Sequence, residues 1–215
     1  MQQRIDAQRR AIVDGAVEQL ADSGYAGCSV AAVAARAGVA AGTVYRHFSG
    51  KAELVVELFT EVVEHEVAAV RQAGDQPGPP TERVCAVLET FAARALKRPR
   101  QAYALLAEPV DAPVAQQRLV FRRVYRDVLA GLIADGVRSG SLPAQDSELT
   151  AAALVGATAE VLVGPLVTGT AVDIPELRRF ALRSLGASPQ HEPVTAQRHN
   201  RPYPDHPKNT GATHA

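Results

Sequence analysis

The chain has 215 residues, 47% apolar and 21% charged, and its 23 basic residues balance 23 acidic ones. That size and apolar content suit one or two cytosolic helical domains with a large core, and with 14 Pro, 16 Gly, five Tyr, five Phe and no Trp the core is built mainly from Ala, Val and Leu. The zero net charge argues against a strongly electrostatic partner without excluding a local patch, and Cys28 and Cys85, far apart and outside any CxxC spacing, indicate neither a disulfide framework nor a metal knuckle.

From Arg9 to Ala21 the apolar residues Ile12, Val13, Ala16, Val17 and Leu20 recur at helical spacing, and Gly24 ends this first helix. Ser29 is placed to cap a second helix with Val30, Val33 and Ala34 inward, Ala37-Gly38-Val39 makes a tight turn, and a third short helix covers Ala41 to His47. Helices this short need a shared core, for which Ile12, Ala16, Leu20, Val33, Val39, Val44 and Phe48 are the candidates. Ser49 is read as the cap of a fourth helix reaching about Ala73, with Leu54, Leu58, Phe59, Val62 and Val63 on one side and Glu53, Glu57, Glu61 and Glu64 on the other.

The run from Gly74 to Pro80 breaks helical continuity before a fifth helix from Thr81 through Val84, Leu88, Phe91 and Ala95 to near Pro99. A short helix over Tyr103 to Leu106, a long one from Val114 to Arg138, one from Ser147 to about Thr168 broken at Pro165, and a last one from Ile174 to Leu185 complete nine, with no convincing strand pattern. The stretch Ala151 to Val172 is apolar enough to resemble a membrane span, but Glu160 and Pro165 favour a buried helix, and no membrane partner is expected. The proline-rich residues 188–215 are expected to be a disordered tail, and the spacing of His191, His199, His206 and His214 does not group metal ligands. Neither a metal nor a cofactor is expected.

Two short helices joined by a turn form a helix-turn-helix when the second can enter a major groove. Ser29 to Phe48 meets that requirement: Gly38 allows the turn, Ala40, Ala41 and Gly42 keep the leading edge small, and Thr43, Tyr45, Arg46 and His47 flank the buried Val44. Gly24-Tyr25, Ser29-Val30, Val33-Ala34, Ala37-Gly38-Val39, Gly42-Thr43-Val44-Tyr45, His47-Phe48 and Lys51-Ala52-Glu53-Leu54 resemble the DNA-binding domain of TetR-family transcriptional regulators (TetR/AcrR type) over about residues 9 to 55.

The resemblance implies an all-α protein. It implies that residues 1–55 form the helix-turn-helix domain and residues 56–187 a regulatory and dimerisation domain. It implies that Thr43 and Arg46 contact bases or phosphate, that Tyr45 and His47 touch the DNA backbone, and that Ser29 and Lys51 bind phosphate; Arg9 and Arg10 are possible flanking phosphate contacts. The sequence departs from the common pattern at Ala40, where Ser is frequent. Residues 1–51 carry six basic and four acidic groups, whereas residues 52–70 carry five acidic and no basic ones, so neutrality hides a mildly positive DNA-binding end.

In the resembled family the last two helices of each subunit form a four-helix dimer interface, which here implies Leu154, Ala157, Val161, Leu162, Leu166, Leu177 and Phe180. Phe91, Tyr103, Leu106, Phe121 and Tyr125 are candidates to line an apolar effector cavity, with Arg94, Glu108 and Arg122 as polar contacts. The expected function is that of a cytoplasmic homodimer on double-stranded DNA at an inverted-repeat operator, a repressor released by a small apolar or amphipathic molecule. A dimeric helical adaptor without operator binding is the alternative. An enzyme is not expected, because neither a GxSxG elbow, a phosphate loop nor a nucleophile relay is present.

Overall fold

A computed structural model describes residues 2–187, and these contain nine α-helices and no strand. They are α1 (Gln2–Gly27), α2 (Val30–Arg36), α3 (Ala41–His47), α4 (Lys51–Gly74), α5 (Pro80–Lys97), α6 (Pro99–Leu106), α7 (Ala112–Arg138), α8 (Ser147–Thr168) and α9 (Ile174–Ser184). The all-α architecture expected from the helical periodicity is the one observed. The expected tail and its four histidines lie outside the described residues.

The first helix starts earlier than its apolar periodicity indicates, and its polar first turns extend beyond the region that packs. Gly24 interrupts it with φ 68° and ψ −172°, a left-handed conformation that glycine reaches without a Cβ penalty. Ser29 caps α2 as expected, its hydroxyl accepting from the Ala32 N–H at 3.1 Å. Gly38, at φ 66°, makes the turn into α3.

Ser49 is not the cap of α4; Gly50 occupies that position without a side-chain bond. Instead the Glu53 carboxylate reaches back and accepts from the Ser49 N–H at 2.7 Å and its hydroxyl at 2.6 Å. Nor does Pro165 break α8, which runs on to Thr168 and stops at Gly169 in the left-handed region. Pro165 is close enough to the end that its missing N–H removes only one late bond.

Ile12, Ala16, Leu20, Val33, Val44 and Phe48 are buried together, with Val39 packed against them, as the amphipathic patterning anticipates. This core does not stop with the third helix. It takes in Leu54, Val55, Leu58 and Phe59 from α4, and Ala104 and Val114 from α6 and α7. A second core joins Val70 of α4, Val84 and Leu88 of α5, Leu129 and Ile133 of α7, Leu154 of α8 and Leu185 at the end of α9. A third joins Ala92 and Ala95 of α5 to Ala102, Leu162, Leu166 and Leu177. Arg178 of α9 pairs with Glu82 and Glu89 of α5, strapping the last helix to the bundle.

Candidate functional site

The leading face of α3 is open. Ala40, Ala41, Gly42, Tyr45 and Arg46 are exposed while Val44 alone is fully buried, so the helix is pinned by one side and presents the other. Tyr45 is 59% exposed on this open face. Arg46 Nη2 donates to Thr43 Oγ1 at 3.1 Å, which orders the guanidinium along the helix face. Ala40 provides no side-chain cap, as its side chain dictates. His47 is half-buried, with Nε2 3.3 Å from Gln8 Oε1 of α1, and Ser29 is exposed at the start of α2.

The expected flanking cations have partners within the chain. Arg9 Nη1 pairs with Glu57 at 2.8 Å and lies over the Phe48 ring, and Arg10 Nη1 pairs with Glu61 at 3.1 Å. The basic residues of α1 therefore offset the acidic run of α4 on the wet side of the small core. Lys51 Nζ sits 3.8 Å from the centroid of the Tyr25 ring, a cation–π contact at the first residue of α4.

Tyr25 belongs to a second constellation that sequence reasoning missed. Beside the Gly24 kink, the Glu108 carboxylate accepts from the backbone N–H groups of Tyr25 and Ala26 at 2.8 and 2.9 Å. A Cβ at position 24 would lie 2.8 Å from Glu108 Oε2, so glycine is needed for the approach as well as for the dihedral. The Tyr25 hydroxyl donates to Asp111, and burial together with that bond pushes its pKa up to about 12. Arg118 of α7 donates to the carbonyls of Ala104 and Glu108, both at 2.8 Å. The α6–α7 loop is thus fastened to the end of α1 on one side and to α7 on the other. The detectable signal is the Gly24-Tyr25 pair, which sequence reasoning takes as a helix stop and as part of the family motif but not as a docking point for a distant carboxylate.

Between α4, α5, α6, α7 and α8 lies an apolar cavity of about 90 Å³. Phe91, Arg94, Leu106, Phe121, Arg122 and Tyr125 are among the residues that line it. Tyr103 does not; it packs into the third core. Glu108 does not either, because its carboxylate is committed to α1. Val63, Leu88, Leu129, Val155 and Ala159 add apolar wall, and Arg98, Gln101, Arg118 and Thr158 add polar atoms that the sequence did not single out. Arg94 forms a two-point pair with Glu66 at 2.5 and 2.9 Å, and Phe91 and Tyr125 meet edge to face with centroids 5.0 Å apart. Two buried polar atoms among these lining residues, Arg118 Nε and Thr158 Oγ1, have no hydrogen-bond partner.

The outer face corrects the interface expectation. Leu154, Leu162, Leu166 and Leu177 are buried within the chain and are not available to a partner. Val161 at 48% and Phe180 at 38% are exposed, Ala157 is half-buried, and Leu149 and Val167 are also open. Ala152, Ala153, Gly156 and Gly164 are exposed on the same helix, with Glu160 among them. With a mean hydropathy of 1.7, α8 is long and apolar enough to cross a membrane by length and composition, yet one side of it packs into the bundle.

Comparison with known proteins accounts for both halves. Residues 12–58 match the family described as "Bacterial regulatory proteins, tetR family", and residues 77–162 match "Tetracyclin repressor-like, C-terminal domain". The chain is 30% identical to the HTH-type transcriptional activator FasR of Mycolicibacterium smegmatis over 153 residues, 70% of this chain and 68% of that one. It is 25% identical to the fatty acid metabolism regulator protein of Bacillus subtilis, over 61% of this chain and 69% of the relative. FadR of Bacillus subtilis, solved in complex with stearoyl-CoA, superposes with a TM-score of 0.71 at 22% identity, covering 83% of this chain and 98% of FadR. FadR of Bacillus halodurans does so with a TM-score of 0.69, also at 22% identity, covering 83% and 98%.

Proposed function

The chain belongs to the tetR family of bacterial regulatory proteins, and from that premise we propose that it is a homodimeric repressor of an inverted-repeat operator, released by an amphipathic acyl effector. The observation that carries this reading is the combination of an exposed, pinned recognition helix with an apolar cavity whose wall includes the helix that follows it. Thr43 and Arg46 are the base or phosphate contacts, Tyr45, His47 and Ser29 hold the backbone, and Arg9, Arg10 and Lys51 contribute where their internal pairings yield to phosphate. We assign residues 1–55 to the DNA-binding unit and residues 56–187 to the regulatory one.

One α3 of seven residues spans only a few base pairs, so useful specificity requires two copies separated by about one DNA turn, roughly 34 Å. The exposed strip of Leu149, Val161, Val167 and Phe180 supports pairing through α8 and α9. A second copy of the same strip gives a two-fold, self-complementary contact.

An effector with an apolar chain and an anionic end fits the lining. Val63, Leu88, Phe91, Leu129 and Val155 suit the chain, and Arg98, Arg118 and Arg122 suit the charge, Arg94 being paired with Glu66 on the same wall. FadR and its bound stearoyl-CoA, and the relative that regulates fatty acid metabolism, support the same class. The cavity of about 90 Å³ is below the ~300–1,000 Å³ typical of ligand sites, so binding has to spread its walls. Val63 lies on α4, which begins four positions after the recognition helix ends, and moving α4 changes the distance between the two α3 helices of the dimer. The effector releases DNA because it binds the spread state more tightly than the operator-competent one.

The test is selection of genomic fragments by the purified protein, followed by fluorescence anisotropy on the recovered site with stearoyl-CoA added. Protection of an inverted repeat and its release by the acyl-CoA are expected; fragments without a shared repeat refute operator recognition, and binding indifferent to every acyl-CoA length refutes the effector class.

A further inference from the structure

Thr158 stands out among the polar groups of the cavity. It is 1% exposed and its Oγ1 has no hydrogen-bond partner. A threonine inside a helix ordinarily satisfies its hydroxyl on the carbonyl four residues earlier. Thr60 does this with Val56 at 2.9 Å, and Thr168 with Gly164 at 3.0 Å. Thr158 makes no such bond, although it sits in the helix interior, and it lines the cavity between Val155 and Ala159. A buried hydroxyl left unpaired costs free energy, and valine would fill the same volume without that cost.

Its level in the bundle can be read from its neighbours. One turn before it, Val155 packs against the second core, and one turn after it Leu162 belongs to the third. Phe91 packs against both cores, which marks the middle of the cavity. The arginines are further along: Arg122 and Arg118 precede Tyr125, the edge-to-face partner of Phe91, by about one and two helical turns, roughly 5–10 Å along α7. The cavity therefore has a cationic end, an apolar end and a hydroxyl between them.

Resting on the effector pocket proposed above, we infer that the pocket selects an acyl chain carrying an oxygen, a hydroxyl or keto group, partway along its apolar length, with Thr158 as the specificity-determining residue. A saturated chain of the same length leaves Thr158 unpaired and is disfavoured. An in-chain oxygen supplies the missing hydrogen bond at the point where the hydroxyl is aimed, while the anionic end stays at Arg118 and Arg122.

Isothermal titration of the full-length protein with dodecanoate and with 6-hydroxydodecanoate tests this, alongside Thr158→Val and Thr158→Ser. The wild type is expected to bind the hydroxylated chain roughly 3- to 10-fold more tightly, the worth of one neutral hydrogen bond. Thr158→Val is expected to reverse the order by weakening the hydroxylated chain and tightening the saturated one, and Thr158→Ser to restore the wild-type preference. Equal binding of the two chains by the wild type, or an unchanged ratio in Thr158→Val, overturns the assignment of Thr158 and leaves the pocket standing. Failure of both chains to bind the wild type overturns the pocket itself and the inference with it.

Discussion

Replacing Glu108 with alanine removes one carboxylate and leaves two backbone donors of α1 without their acceptor. A hydrogen bond to a charged group contributes about 1.5–3 kcal/mol net when it is shielded from water. The bond from the Tyr25 N–H is partly buried and counts in that range, whereas the Ala26 N–H is exposed and recovers most of its loss from solvent. The expected destabilisation is therefore about 1.5–3 kcal/mol, or roughly 3–12 °C in Tm for a chain of this size at ~2–4 °C per kcal/mol. Thermal unfolding followed by far-ultraviolet circular dichroism reads it, at one fixed protein concentration because a dimer's Tm depends on concentration. Glu108→Gln keeps one acceptor oxygen without the charge and is expected to fall between the two. Because the same bonds hold the α6–α7 loop to α1, operator affinity is expected to drop in parallel with Tm. A Tm for Glu108→Ala equal to that of the wild type refutes the view that this carboxylate fastens the two halves.

Other expectations follow from single residues. Arg46→Ala should lower affinity for the operator by about 1–3 kcal/mol and relax preference at one base pair in each half-site, scored by anisotropy on single-base operator variants; a uniform loss across all variants would make Arg46 a phosphate contact only. Val161→Glu with Phe180→Glu should turn the dimer into a monomer in sedimentation velocity while the far-ultraviolet spectrum stays helical, and an unchanged sedimentation coefficient would move the interface elsewhere. The Tyr25 phenol is held protonated in the folded state, with a pKa of about 12 against the ordinary 10.0, so its contribution is complete below pH ~10 and is lost as pH rises through ~10–12. Tyr25→Phe should flatten that alkaline slope in urea titrations. Burial raises both thiols, Cys28 and Cys85, to about 11, so iodoacetamide at pH 8 should label neither in the native protein and both in urea.

The helices and the small core were legible because each depends on near-neighbour rules: apolar spacing over Ile12 to Leu20, the Ser29 hydroxyl, the Gly38 turn. The recognition face was legible for the same reason, since one short helix with a single buried Val44 fixes which residues look outward. Legibility failed where a side chain's role depends on a distant segment. Glu108 was read toward the cavity because nothing local says that its carboxylate reaches residues 25 and 26, more than eighty positions back. Leu154, Leu162 and Leu166 are expected at a partner from the family resemblance, and α8 is apolar on so many sides that periodicity alone does not divide its inner face from its outer one, whereas Leu177 lies on α9 and is taken up by the third core. Ser49 stands one residue before the cap, with its N–H and hydroxyl donating to Glu53, a pairing of residues four apart that helix-start rules do not separate from capping.

The first core, which gathers Ile12, Val44 and Phe48 together with Leu58, Phe59, Ala104 and Val114, bears on how such regulators are rewired. A chimera that moves only residues 1–55 onto another scaffold leaves behind part of the core on which α1 packs, as well as the acceptor for the end of α1. A graft that also carries residues 56–59 and the segment from Ala104 to Val114 transplants every buried member of that core. Exchange of operator specificity is then a matter of moving a folded body rather than a stretch of sequence, and the junctions that preserve it fall inside α4, α6 and α7 instead of at the apparent domain boundary.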